Sequence, residues 1–171
     1  NYADGQLARV RDQRPQLFNE SNGWLAGGRS WITTDNRGQL WFLKEDAVGV
    51  FRNGKFIILH NMHRDRYCMT AARDGGVWIS GRRELWRCTE SGALTLIGAT
   101  PAIWPDAGAT TTAIIADRTG AVWIGTAEAG LIRYDANGFT NIKTSHREIS
   151  SLAEDQEGNI WFATQSGRVG Y

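Results

Sequence analysis

Four tryptophans recur at one phase of a repeating phrase, and that phrase limits what this chain can fold into. Trp41, Trp78, Trp123 and Trp161 are separated by 37, 45 and 38 residues. Glycine stands three residues before each of them, at Gly38, Gly75, Gly120 and Gly158, and an apolar residue stands nine before, at Ile32, Met69, Ile114 and Leu152. In three copies an aspartate (Asp35, Asp117 or Asp155) begins the tetrapeptide that ends at the glycine. Asp at the first and Gly at the fourth position fit a tight turn, with the carboxylate accepting from nearby backbone N–H groups. The second copy has Ala72 in place of the aspartate and carries Asp74-Gly75 instead, itself a hairpin signal. Each phrase therefore reads as strand, turn, strand. The Trp-bearing strand is apolar on both faces, as a strand covered from both sides must be.

A third strand and a second hairpin follow each complete copy. Copy three runs 130–134, turn 135–138, then 139–142, and copies one and two repeat the plan at 49–56 and 85–96. Four short antiparallel strands in about 40 residues, buried on both faces, describe a propeller blade. The sequence thus predicts an all-β fold, a β-propeller segment of about four blade units spanning 1–171. The divisions are outer strands of a part-blade at 1–20, blades at 29–60, 67–99 and 110–142, and a part-blade at 148–171. Residues 1–7 resemble 133–139, so the chain starts and stops at nearly one phase of the repeat. We expect the two part-blades to be completed by further blades of a longer chain or by a second copy, with a closed four-bladed monomer as the alternative.

Composition excludes several classes. Nineteen Lys and Arg against 18 Asp and Glu give a net charge of +1, which argues against a nucleic-acid surface. No apolar run is long enough to span a bilayer as a helix, so no direct membrane insertion by this segment is expected. Cys68 and Cys88 lie ten residues either side of Trp78, on the first and third strands of one sheet. Two strand spacings of about 4.8 Å exceed the usual reach of a disulfide, so both are expected as free thiols.

The phrase apolar-x-x-x-Asp-x-x-Gly-x-apolar-Trp-apolar-Gly-Thr, followed by Gly-Leu-x-Arg-Tyr-Asp, resembles the two-component regulator propeller repeat. Residues 113–135 are the closest copy, with Gly125-Thr126 and Gly130-Leu131-Ile132-Arg133-Tyr134-Asp135, and 149–164 is nearly as close. Leu43-Lys44 and Ser80-Gly81 depart from Gly-Thr in the first two copies. The resemblance implies the extracytoplasmic, periplasmic sensor of a bacterial two-component receptor, not itself an enzyme. The membrane anchor and the kinase or cyclase would lie elsewhere in the parent protein. It also implies a small polar ligand such as an oligosaccharide; no cofactor is expected. Residues 158–163 with 167–170 are similar to the repeats of streptogramin lyases as well, which use a histidine just before an inner strand. His146 lies in that kind of loop but farther from its Trp than the motif requires. A protein-interaction platform without a small ligand is the third reading.

In a propeller the loop entering the innermost strand and the loop between the second and third strands share a face, and ligands gather there. The repeat places the entering loops at 22–30, 60–67, 102–111 and 143–148, and the others at 44–48, 81–84, 126–129 and 165–166. His63-Arg64-Asp65 and His146-Arg147-Glu148 hold the same chemistry, each beginning fifteen residues before its Trp. Such a rim can hold a carboxylate or sugar hydroxyls by charge-assisted hydrogen bonds, and equally can be a solvated loop with local ion pairs. Trp24, Trp31 and Trp104 fall outside the repeat position and are candidate platforms for a sugar face, or else core. Arg29, Arg82, Arg83, Glu128 and Gln165 complete the loop-face candidates. His60, His63 and Cys68 lack the further ligands that a structural zinc site needs.

Overall fold

The structure is a computed structural model that describes residues 6–63, 66–81, 83–101 and 110–164. Its strands come in chain order as antiparallel meanders. A hairpin of β1 (Leu7–Arg11) and β2 (Arg14–Phe18) is followed by a short 3-10 turn at Glu20–Asn22. Blade one contains β3 (Ser30–Thr34), β4 (Leu40–Lys44), β5 (Ala47–Arg52) and β6 (Lys55–Asn61). Blade two contains β7 (Cys68–Ala71), β8 (Val77–Gly81), β9 (Glu84–Cys88) and β10 (Leu94–Ala99). Blade three contains β11 (Thr111–Ala116), β12 (Val122–Thr126), β13 (Leu131–Asp135) and β14 (Gly138–Ile142). A hairpin of β15 (Ile149–Glu154) and β16 (Ile160–Thr164) ends the described chain. Three four-stranded and two two-stranded sheets result, each strand paired with its neighbour in sequence.

The repeat aspartates do more than shape turns. In blade three one Asp117 oxygen accepts the backbone N–H groups of Thr119 at 2.8 Å and Ala121 at 3.0 Å. The other accepts the indole N–H of Trp123 at 2.8 Å. Asp35 does the same with Arg37, Gln39 and Trp41, and Asp155 with Glu157, Asn159 and Trp161. Gly38, Gly120 and Gly158 close these turns in the left-handed region, with φ of 78°, 90° and 90°, where a side chain would be strained. Burial pushes the carboxyls of Asp35 and Asp117 up, but the indole, hydroxyl and backbone donors outweigh it and hold both below the ordinary 3.8. At Asp155 the Trp161 indole and the Asn159 donors lead, and the shift is again downward.

With the indole fixed, the Trp strand presents alternate residues to the two neighbouring sheets. On β4, Trp41 and Leu43 face blade two while Phe42 meets Phe18 and Phe56. On β8, Val77 and Ile79 face blade one while Trp78 faces blade three. On β12, Val122 and Ile124 face blade two. Gly125 faces β15 so closely that an added Cβ would sit 2.7 Å from Ile149. The sheets therefore stack face to face in chain order, with a core cluster at each of the first three interfaces. The outer faces of the first and last hairpins stay uncovered: Val10 is 69% and Leu17 60% exposed, and Trp161 is 65% exposed. The two hairpins are not hydrogen-bonded to each other; residues 167–171, beside which a closing strand is expected to pair, lie outside the described residues. The turn of the first hairpin falls at Asp12-Gln13. Residues 3–5, where likeness to 133–139 puts a turn, lie outside the described residues.

Asp117→Asn should destabilise the chain by about 1–3 kcal/mol in urea unfolding, because the new amide N–H₂ faces the Trp123 indole donor. A neutral outcome would contradict the clasp. The lowered carboxyls also set the sign of the acid response. Their contribution is complete above the unfolded value near 3.8 and is lost as pH falls through the lower folded values. Stability should decline below about pH 4, and less steeply once Asp35 and Asp117 are both replaced by Asn.

Candidate functional site

Several described parts of the loops that the repeat assigns to one face are hydrogen-bonded to each other. The backbones of Arg29 and Glu45 are joined by Glu45 N–H donating to Arg29 O at 3.0 Å, and Arg29 N–H donates to Glu45 Oε1 at 2.9 Å. Thr100 N–H donates to Arg83 O, Ala127 N–H to Thr110 O, and Gly130 N–H to Arg147 O. Loops entering inner strands are thereby tied to the turns between second and third strands.

Between the loops of blades one, two and three lies a cavity of about 280 Å³. Its described lining is Gly28, Arg29, Trp31, Leu43, Glu45, Arg66, Tyr67, Cys68 and Thr111. Trp31 opposes Leu43 across β3 and β4 and is half-buried, touching the clusters on both sides of blade two. The Thr111 hydroxyl is 2.9 Å from Ser80 Oγ. Cys68 Sγ donates to Thr111 O at 3.4 Å, and burial pushes its thiol up to about 11 against the opposing influence of Arg29. Cys88 is likewise free, buried, and pushed up to about 11 by burial. The two cysteines sit on β7 and β9 with β8 between them, so they are not bridged.

Of the candidates read from the sequence, Arg29 and Trp31 line this cavity. Trp24 does not. It is 2% exposed, with its ring against Phe56 at 4.9 Å and Phe42 at 5.8 Å, and the ammonium of Lys44 lies 5.1 Å from its centroid. The 3-10 turn folds Trp24 back so that its backbone N–H donates to Asn19 O. It is core, not a rim platform. Lys44, standing where blade three has Thr126, is fully buried beneath it and donates to Gly28 O at 3.2 Å. Burial lowers its pKa and Glu45 opposes that.

His63, Glu128, His146 and Arg147 are exposed around the same face, and Arg83 is half-buried with φ of 63°. Described residues show no hydrogen bond or ion pair joining His63 to His146, and the His146 ring meets Ser145 Oγ at 3.1 Å. Arg64, Arg82, Trp104 and Gln165 lie outside the described residues. His60 makes its contact with Gly92 O. No group of three or more His, Cys, Asp or Glu is placed to hold a metal among the described residues. Glu45, Arg66 and Tyr67 are lining residues that sequence reasoning did not single out. Their only signal was membership of the loops that the repeat phase assigns to this face.

The family model described as "Two component regulator propeller" matches residues 145–166, so the chain carries that repeat. No curated protein matches the sequence. Among solved structures, the chain is similar to the extracellular domain of a putative hybrid two component system from B. thetaiotaomicron, at TM-score 0.73 and 18% identity over 94% of this chain and 24% of that one. It is similar to virginiamycin B lyase from Staphylococcus aureus at TM-score 0.72 and 18% identity, over 94% of this chain and 56% of the lyase. A streptogramin B lyase structure matches at TM-score 0.64 and 21% identity, over 78% of this chain and 47% of that one. These likenesses establish the β-propeller fold, and the chain spans between about a quarter and about half of those structures.

Two outcomes follow from these placements. Trp24→Ala should cost about 3–5 kcal/mol as a core truncation, whereas Trp31→Ala should cost less, since one side of that ring faces the cavity. Equal losses in denaturant unfolding would contradict the assignment. Cys68 and Cys88 should resist a thiol reagent in the native chain and both react after unfolding without reductant. A Cys68–Cys88 bridged peptide from the native protein would overturn the strand order of blade two.

Proposed function

We propose that this chain is part of the ligand-sensing propeller of a bacterial two-component signalling receptor. In this reading it works on the periplasmic side of the membrane and binds a small polar ligand, such as one end of an oligosaccharide, at the loop face. The observation that carries the proposal is the cavity between the loops of three successive blades, with a half-buried Trp31 and two arginines in its lining. Aromatic surface beside fixed polar groups is the composition of sugar-binding pockets. The repeat match at 145–166 and the likeness to an extracellular domain of a two component system support the sensory context. Among the described residues no helix is long and apolar enough to cross a membrane, so in this reading the anchor and the kinase or cyclase belong to other parts of the parent protein.

Binding fits the cavity better than catalysis. Its described lining holds no histidine, and its one thiol is shifted away from the reactive thiolate by burial. His146, the residue that the lyase reading would need, is exposed beside Ser145 on the loop into β15 and is not in that lining.

A thermal-shift screen with mono- and oligosaccharides tests the proposal. The expected result is a concentration-dependent rise in Tm for at least one sugar, abolished by Trp31→Ala and retained in Glu128→Ala. A sugar-dependent shift that survives Trp31→Ala would place binding elsewhere. The absence of any shift across the panel would contradict a sugar-sensing role.

A further inference from the structure

The cavity between the first three blades has a charge and a size that narrow its ligand, on the reading that it is a sugar site. We infer that it takes a single sugar ring carrying a carboxylate, a hexuronate, in preference to a neutral hexose. At about 280 Å³ the cavity lies at the lower edge of ligand pockets, which begin near roughly 300 Å³. That volume suits one pyranose ring with its substituents and leaves the rest of a longer chain outside. Half-buried Trp31, backed by buried Leu43 and Tyr67, supplies the apolar surface for the C–H face of the ring, and Thr111 borders it.

The charged lining is asymmetric. Among the described lining residues the cations are Arg29 and Arg66, and the carboxylate is Glu45. One oxygen of that carboxylate is held at the loop backbone, where Glu45 Oε1 accepts the Arg29 backbone N–H at 2.9 Å. The Arg29 guanidinium makes no hydrogen bond or ion pair with any described residue. An arginine fork matches a carboxylate in a planar, bidentate contact, which a hydroxyl cannot provide. A neutral sugar would cover part of the Arg29 guanidinium and return only neutral hydrogen bonds, whereas an anion restores what desolvation removes. The same geometry explains why Glu45 is an asset here: its tie to the loop backbone holds the Arg29 segment against the turn between β4 and β5.

Titration calorimetry on the whole chain at pH 7 compares D-glucuronate and D-galacturonate with D-glucose, D-galactose and glucose 6-phosphate. We expect a hexuronate to bind about tenfold or more tightly than its parent hexose, with an affinity that falls as salt rises. Arg29→Gln should reduce the hexuronate to the level that the neutral hexose shows in the same variant, while leaving Tm unchanged. Arg66→Gln gives a second reading of the same loss. Equal affinity for hexuronate and hexose, or a hexuronate affinity unmoved in both variants, overturns the charge assignment and leaves the sugar site standing. Preference for the phosphate over both hexuronates overturns the carboxylate assignment. No binding of any of the five, together with a blank oligosaccharide screen, removes the sugar site and this inference with it.

Discussion

A carboxylate shared between a turn and a tryptophan is the interaction on which the blades depend. Each repeat aspartate spends one oxygen on the N–H groups of its own turn and the other on the indole six residues later. The first contact fixes the hairpin between the two inner strands, and the second fixes which way the indole points. With the indole held, the residues on either side of it are committed to the opposite sheet face. That is how one short strand feeds two core clusters. Blade two lacks the aspartate and replaces it by other means. The Arg87 guanidinium lies 5.2 Å from the Trp78 ring centroid, donates to Val77 O at 3.2 Å and pairs with Asp74 at 2.7 Å. Arg133 lies over the Trp123 ring in the same way, so blade two keeps the cation over the ring and has donors to backbone carbonyls in place of the acceptor.

The turn face is stitched by a second repeated device. The residue following each aspartate position reaches the backbone of the next unit: Asn36 donates to Arg73 O at 2.6 Å, Arg73 to Asp117 O at 3.0 Å, and Arg118 to Gln156 O at 2.7 Å. Glu154 gathers Arg118 at 2.7 Å and Arg73 at 3.4 Å. Because one face is locked in register from blade to blade, the other can carry variable loops at a fixed separation. The cavity bordered by Arg29, Trp31 and Arg66 exists because three blades are held in that register.

Much of this was legible in the sequence because it is local. Strand, turn and strand follow from apolar runs bounded by Asp and Gly, and the placement of Cys68 and Cys88 on non-adjacent strands follows from counting to Trp78. The aspartate's tie to the indole was not legible, since the two meet only after both strands pair. Trp24 stood outside the repeat phase, where spacing carries no information about burial. Its place in the core comes from a turn at 20–22 and from a lysine buried beneath it. Glu45 and Arg66 were inside loops of the right face, yet nothing in either loop alone marks them. They become neighbours of Arg29 only through packing between blades.

The account rests on the aspartate–indole clasp, and a nuclear magnetic resonance titration of the native chain tests it most directly. The carboxyl carbons of Asp35, Asp117 and Asp155 and the indole N–H signals of Trp41, Trp78, Trp123 and Trp161 would be followed together from pH 7 downward. The account predicts that all three aspartates titrate below the ordinary 3.8, that the indoles of Trp41, Trp123 and Trp161 move in step with them, and that Trp78 does not. Aspartates titrating at or above that value, or a Trp78 indole that moves with the other three, would contradict it.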